Sequence, residues 1–329
     1  MRLARLVRYT SFVLALALSP EAHAQAAPYA AVSNEGSRDI SVLARNGTLL
    51  FTIPVTDRPR GIAFSADGRR LFVALSDDRP NTEGSGDAIV EIDVGRRRIV
   101  RRVAAGSDPE TFAITPNDRV LYASNEDAGT ASATDLRTGK VVATMVVGIE
   151  PEGVAASRDG RWVFVTAETS NSVSMIDAKL NRVVANVLVD ARPRAAVFTP
   201  DGRFALVTAE IGGTLAVIDV ANRAVVRAIT LQGGRGKPVG VAVSPDSRYA
   251  FVANGGTHRV SIVDLERHEE VASIPVGRRP WGIAISRDGG TLYTANGGSN
   301  DVSIIDVATR KVRSTVKVGA RPWGVALTR

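Results

Sequence analysis

Apolar positions along the chain recur in short bursts separated by turn chemistry, and the pattern is clearest over residues 280–321, PWGIAISRDGGTLYTANGGSNDVSIIDVATRKVRSTVKVGAR. Four β-branched apolar runs lie inside it: Gly282–Ser286, Leu292–Asn296, Val302–Asp306 and Val312–Val318. Asp288-Gly289, Gly297-Gly298, the Ala308–Lys311 tetrad and Gly319 separate or close them, which predicts four short antiparallel strands. The same opening proline returns as Pro59, Pro109, Pro151, Pro193, Pro238, Pro280 and Pro322, at spacings of 50, 42, 42, 45, 42 and 42 residues. Four strands in a period of about 40–45 residues predict a β-propeller blade.

The two ends of the chain complete the count. Residues 29–56 hold three strand-like runs, Ala30–Ser33, Ile40–Ala44 and Thr48–Val55, and lack a first strand. Residues 322–329 supply a first strand with nothing after it. Six full units and two complementary fragments predict an all-β, seven-bladed β-propeller, four antiparallel strands per blade, closed by strands from both termini. Such closure removes the sheet edges that invite aggregation. First strands such as Gly153-Val154-Ala155 and Gly282-Ile283-Ala284 alternate small and branched residues, as a crowded central axis requires. Asp93, Asp135, Asp177, Asp219, Asp264 and Asp306 each end a third strand before a turn, which marks them as turn caps rather than metal ligands.

Composition changes the picture mainly at the N-terminus. Arg2, Arg5 and Arg8 precede an apolar run from Phe12 to Leu18 and then Ala22-His23-Ala24, the order of a secretory signal peptide cleaved after Ala24. Residues 25–329 are then expected to form one propeller domain, exported to the periplasm. The run is too short to anchor the chain in a bilayer. The chain contains no cysteine, which excludes disulfides, thiolate catalysis and Cys-ligated zinc. A formal net charge of +7 falls to +5 without the first 24 residues, too diffuse for a dedicated nucleic-acid binder. The Arg96–Arg102 stretch puts five arginines on one outer hairpin, read as a solvated edge.

The repeat resembles the YVTN-repeat β-propellers, whose units read P-x-G-[IV]-A-x-S-P-D-G followed by strands like Phe164–Ala167 and a V-S-[VI]-I-D strand. Gly106–Glu110, Ser124–Asp127, Glu150–Gly153, Val189–Arg194 and Ala209–Thr214 are similar to stretches of the PQQ-dependent-catabolism-associated propellers. That resemblance implies periplasmic residence and a protein partner from quinoprotein alcohol oxidation or transport, a quinoprotein dehydrogenase among them. It does not imply that this chain binds PQQ. The Ser76–Ala88 loop departs from the pattern by about eight extra residues, and Gly233–Lys237 carries about three.

Positions where the repeats disagree are not demanded by the scaffold and are the candidates for function. Directly after the opening prolines stand Arg60, Glu110, Glu152, Arg194, Val239, Trp281 and Trp323, a charged arc facing two indoles. After the second strands stand Glu35, Glu126, Glu168 and Glu210, with Gly255 and Gly297 elsewhere; Asn125, Asn254 and Asn296, like Asn34, come one residue earlier. Antiparallel order puts both sets on one face, here called the mouth face. Two readings stay open: a ligand or partner site built from polar groups beside aromatic walls, or acids and arginines paired to keep a funnel neutral. No compact acidic loop, Ser-His-Asp order, phosphate loop or histidine spacing is present, so neither metal nor cofactor is expected. The expectation is a monomeric, non-enzymatic binding or accessory propeller that holds a small ligand or a protein. A lactonase-type hydrolase and a single-stranded nucleic-acid binder are the alternatives.

Overall fold

A computed structural model describes residues 27–77 and 86–328; the expected signal peptide and most of the long Ser76–Ala88 loop lie outside the described residues. Seven four-stranded antiparallel sheets form the propeller. Blades 2 to 7 begin with inner strands Arg58–Phe64, Pro109–Ile114, Pro151–Ala156, Pro193–Phe198, Pro238–Val243 and Pro280–Ile285. Blade 1 takes its inner strand from the C-terminus, Pro322–Leu327, beside Pro28–Asn34, Asp39–Ala44 and Leu49–Pro54. Closure is in register, with Ala30 opposite Leu327, Ala31 opposite Ala326 and Val32 opposite Val325.

Burial follows the pleat. Second and third strands are buried on both faces because a blade packs against neighbours on either side, whereas outermost strands alternate. The core is therefore a set of inter-blade seams, such as the one joining Phe164, Val173 and Met175 to Phe198, Val207 and Ile218. The third-strand aspartates do cap their turns: Asp93 accepts from the Arg96 amide at 2.8 Å, Asp219 from Asn222 at 2.8 Å and Asp306 from Thr309 at 2.8 Å. The arginine-rich hairpin is tied down as well. Arg101 pairs with Glu91 at 2.6 Å, and Arg97 lies 4.2 Å from the centroid of the Phe51 ring.

Two local devices set the geometry of the mouth. Each inner strand shifts register just after its opening proline, as between Pro151 and Val154 or Pro280 and Ile283. Such a bulge re-aims a side chain, and here it turns the residue after proline toward the axis. The following glycine then admits the neighbouring blade. A Cβ at Gly282 would sit 2.5 Å from the Trp323 carbonyl oxygen, and one at Gly324 would sit 2.8 Å from that of Arg60.

Candidate functional site: the funnel on the mouth face

The residues after the prolines form a ring around the axis, and four of them enter two ion-pair clusters, one centred on Arg60 and one on Arg194. Arg60 binds Glu110 and lies 3.6 Å from Glu35. Arg194 binds Glu168, reaches Glu152 at 3.2 Å and holds Glu210 at 2.7 Å through Nε. Arg192 joins Glu168 at 2.6 Å, Arg58 joins Asp108 at 3.3 Å, and Arg321 joins Glu35 at 3.3 Å. Glu110, Glu152, Glu168 and Arg194 are buried.

Burial raises the cost of charge, and the network responds unevenly. Desolvation, then the field of Glu152, pushes the Glu110 carboxyl well above its ordinary range against the pull of Arg60. One Glu110 oxygen meets Arg60; the other is buried without a hydrogen-bond partner. Burial and Glu152 push Glu168 up to about 7, opposed by Arg194 and Arg192. Arg60 and Arg194 move upward, because the surrounding carboxylates outweigh the burial of their charge.

A funnel-shaped cavity of about 230 Å³ opens above this network. Its wall carries Glu35, Glu126, Glu152 and Glu168 against Arg60, Arg192, Arg194, Arg279 and Arg321, with Trp281 and Trp323 opposite. Five guanidinium groups face four carboxylates on this wall, and two of the five, Arg60 and Arg194, also hold Glu110 and Glu210 beside it. The indole centroids are 6.1 Å apart at 41°. Arg194 and Arg279 lie 5.2 and 5.0 Å from the Trp281 centroid. Arg279 is exposed and makes no ion pair among the described residues. Below the ring the cavity continues into a second one of about 200 Å³ lined by Ile62, Phe112, Val154, Val241, Ile283 and Val325.

The structure thus brings Arg60, Glu110, Glu152, Arg194, Trp281, Trp323, Glu35, Glu126, Glu168 and Glu210 to one mouth. It puts the asparagines elsewhere. Asn125, Asn254 and Asn296 are buried inside their own blades, where Asn296 donates to Asp301 and Ser303 at 2.9 Å and Asn254 to Ser261 at 2.8 Å. They pack on glycines of the preceding loop: a Cβ at Gly106 would fall 2.5 Å from Asn125 Cγ. Asp108, Glu110 and Glu126 bring one carboxylate oxygen each within 4.8 Å, the grouping with cation-ligand spacing among the described residues. Arg58 and Arg60 already supply positive charge there by pairing with Asp108 and Glu110, so the donor set is engaged by guanidinium groups.

Sequence reasoning missed a set of inter-blade hydroxyls. Ser33, Ser124, Thr166 and Thr208 donate to the ring carbonyls of Arg60, Glu152, Arg194 and Val239 at 2.6, 2.7, 2.7 and 2.5 Å. The same hydroxyls accept inner-strand amides freed by the bulge, as Thr166 does from Gly153 at 2.7 Å. Blades 6 and 7 carry Ala253 and Ala295 at this position, so the tryptophan carbonyls have no such clamp. The signal was present as a Ser or Thr at the next-to-last position of four second strands.

Comparison with known proteins agrees with this architecture. Among solved structures, hydrazine synthase of Kuenenia stuttgartiensis is similar at 22% identity, covering 91% of this chain and 99% of that one with a TM-score of 0.73. A functionally unknown protein of Desulfotomaculum acetoxidans is similar at 18% identity, 92% and 99% coverage and a TM-score of 0.77. A candidate 6-phosphogluconolactonase of Bacteroides uniformis is similar at 18% identity, 91% and 99% coverage and a TM-score of 0.75. At these identities the likeness shows the fold alone. Comparison with curated protein sequences finds no match. The profile of one family matches residues 80–241 and again 191–328, most of the propeller, and the chain belongs to the YNCE-like β-propeller family.

Proposed function

We propose that this chain is a periplasmic binding propeller whose funnel holds a small organic anion with an apolar body. The observation that carries the reading is Arg279, an exposed guanidinium without an acidic partner among the described residues, lying on Trp281 beside Trp323 in the funnel wall. A carboxylate paired with Arg279 would leave its apolar part against the indoles and over the apolar lower cavity, combining charge-assisted hydrogen bonding with aromatic burial. Most acids of the opposite wall are already paired with Arg60, Arg192, Arg194 or Arg321, so that wall would orient the ligand without having to be rebuilt. Export rests on the N-terminal pattern Arg2–Ala24. A link to quinoprotein alcohol oxidation rests on the loop motifs alone and belongs to this proposal.

The chain has three tryptophans, and Trp162 lies on another rim among Arg161, Arg203 and Arg223. In a Trp162→Phe background, intrinsic fluorescence therefore reports the funnel. Titration with a panel of aromatic and alicyclic carboxylates and their neutral amides should give a saturable change with carboxylates only. Arg279→Ala should weaken it by about tenfold or more, the worth of one charge-assisted hydrogen bond. No saturable change with any carboxylate, or equal response to the amides, would overturn the reading.

A further inference from the structure

The mouth-face loops, including those whose residues line the funnel, are divided by charge. From Ala104 to Gly213, the mouth-face loops of blades 3 to 5 carry Asp108, Glu126, Asp127, Glu150, Glu168, Asp190 and Glu210 against Arg192. The loops of blades 6, 7 and 1 carry Arg235, Lys237, Arg278, Arg279, Arg321 and Arg38 against Glu35. The repeat does not require this division, because equivalent loop positions differ from blade to blade while the backbone stays the same.

An apolar crescent lies on the acidic half. Val146, Ile149, Leu188 and Ile211 are 80, 61, 77 and 66% exposed. Contacts between loops and strands string them along one arc: Val146 lies three residues before Ile149, whose amide donates to Ser170 Oγ at 2.8 Å. Two residues on, Ser172 pairs with Leu188. The Ile211 amide then reaches the carbonyl of Ala191 at 3.2 Å, three residues beyond Leu188. Elsewhere the repeat does without these side chains. Positions matching Val146 and Leu188 hold Thr230, Pro275, Lys317 and Pro54, each opposite the first residue of its third strand. Positions matching Ile149 hold Ser107, Ala191, Arg278 and Ala320, and those matching Ile211 hold Gly36, Asp127, Thr169, Gly256 and Gly298. Exposed large apolar side chains cost solubility, and a contiguous set on one rim marks an interaction surface.

We infer that the outer rim of blades 3 to 5 docks a partner protein through a surface that presents apolar side chains flanked by lysine or arginine. The apolar part would cover Ile149, Leu188 and Ile211, and the cations would meet Glu150 and Asp190, which border them in sequence and stand on the same loops. Charge complementarity of this kind sets orientation and encounter rate, while the buried apolar contacts hold the complex. The surface is separate from the funnel wall, so this inference stands whether or not the funnel takes an organic anion.

The test uses the full mature chain and a labelled peptide of alternating leucine and lysine, with its leucine–glutamate counterpart as control, followed by fluorescence anisotropy. The lysine peptide should bind saturably, more weakly as salt rises, and the triple variant Ile149→Ser, Leu188→Ser, Ile211→Ser should bind it at least about tenfold more weakly. The exposed positions predict an unchanged melting temperature for that variant, which separates loss of the surface from loss of the fold. Absence of saturable binding, equal binding by the triple variant, or equal binding of the glutamate peptide overturns the inference. A concentration-dependent dimer in sedimentation that the triple variant abolishes would assign the crescent to a second copy of the chain and overturn the heterologous partner.

Discussion

On the side of blades 2 to 5, Arg60, Glu110, Glu152 and Arg194 are held from two directions, by ion pairs at their side chains and, for all but Glu110, by hydroxyl clamps at their carbonyls. On the side of blades 7 and 1, Trp281 and Trp323 stand on the same bulge and beside the same glycine, yet Ala253 and Ala295 give them no clamp and the neighbouring loops are glycines. The first half carries buried charge and needs every partner it has. The second half presents half-buried apolar rings, has one cation to spare and adjusts at small cost. A propeller repeat can therefore make one half of its mouth a rigid wall and the other a receptive one without changing its backbone.

The strongest way to break that contrast is to remove the central cation of each half. Arg194→Ala leaves Glu152 and Glu168 buried without their shared partner and should destabilise by about 3–5 kcal/mol. The melting temperature should fall by roughly 10 °C. Arg279→Ala should change stability by less than about 0.5 kcal/mol, because an exposed side chain with no ion pair is lost. Thermal unfolding of the two variants side by side checks this, and equal losses would abolish the distinction.

A smaller effect should come from the clamps. Thr166→Val keeps the side-chain shape but takes a donor from the Arg194 carbonyl and an acceptor from the Gly153 amide, both buried, and should cost about 1–3 kcal/mol. The reverse change on the other half, Ala295→Ser, should gain no more than about 1 kcal/mol. Denaturant midpoints at constant slope would show both.

The two halves should also differ in pH dependence, and its sign follows from the upward shift of Glu168. An unfolded glutamate ionises near about 4.3, whereas the folded Glu168 keeps its proton up to about 7. Between those values the folded state binds more protons, so stability falls as pH rises through that window and levels off above it. Glu110 and Glu126, also shifted upward, act in the same direction. Glu168→Gln should flatten the slope of melting temperature against pH between 5 and 7, and Arg279→Ala should leave it unchanged. A slope of opposite sign in the parent protein would mean that the carboxylates are stabilised, not strained, by their burial.

Much of this molecule was legible in its residue order. The 42-residue proline spacing, the turn motifs and the complementary fragments at 29–56 and 322–329 fixed seven blades and their closure, because a strand's face and a turn's φ angles are local properties of a few residues. Local logic also located the mouth, since antiparallel order alone brings Arg60, Glu110, Glu152, Arg194, Trp281 and Trp323 to one end of the axis. What it could not decide was which members of that set face the cavity. Asn125, Asn254 and Asn296 lie beside the site in sequence but turn into their own blades, where glycines such as Gly106 make room for them. Whether Arg194 or Arg279 is the spare cation depends on carboxylates from neighbouring blades, and the hydroxyl clamps join residues 27 or more positions apart. Pairing across a seam is a property of packed blades: the energy of a buried charge is set by what surrounds it in space, and only the tertiary structure supplies those neighbours.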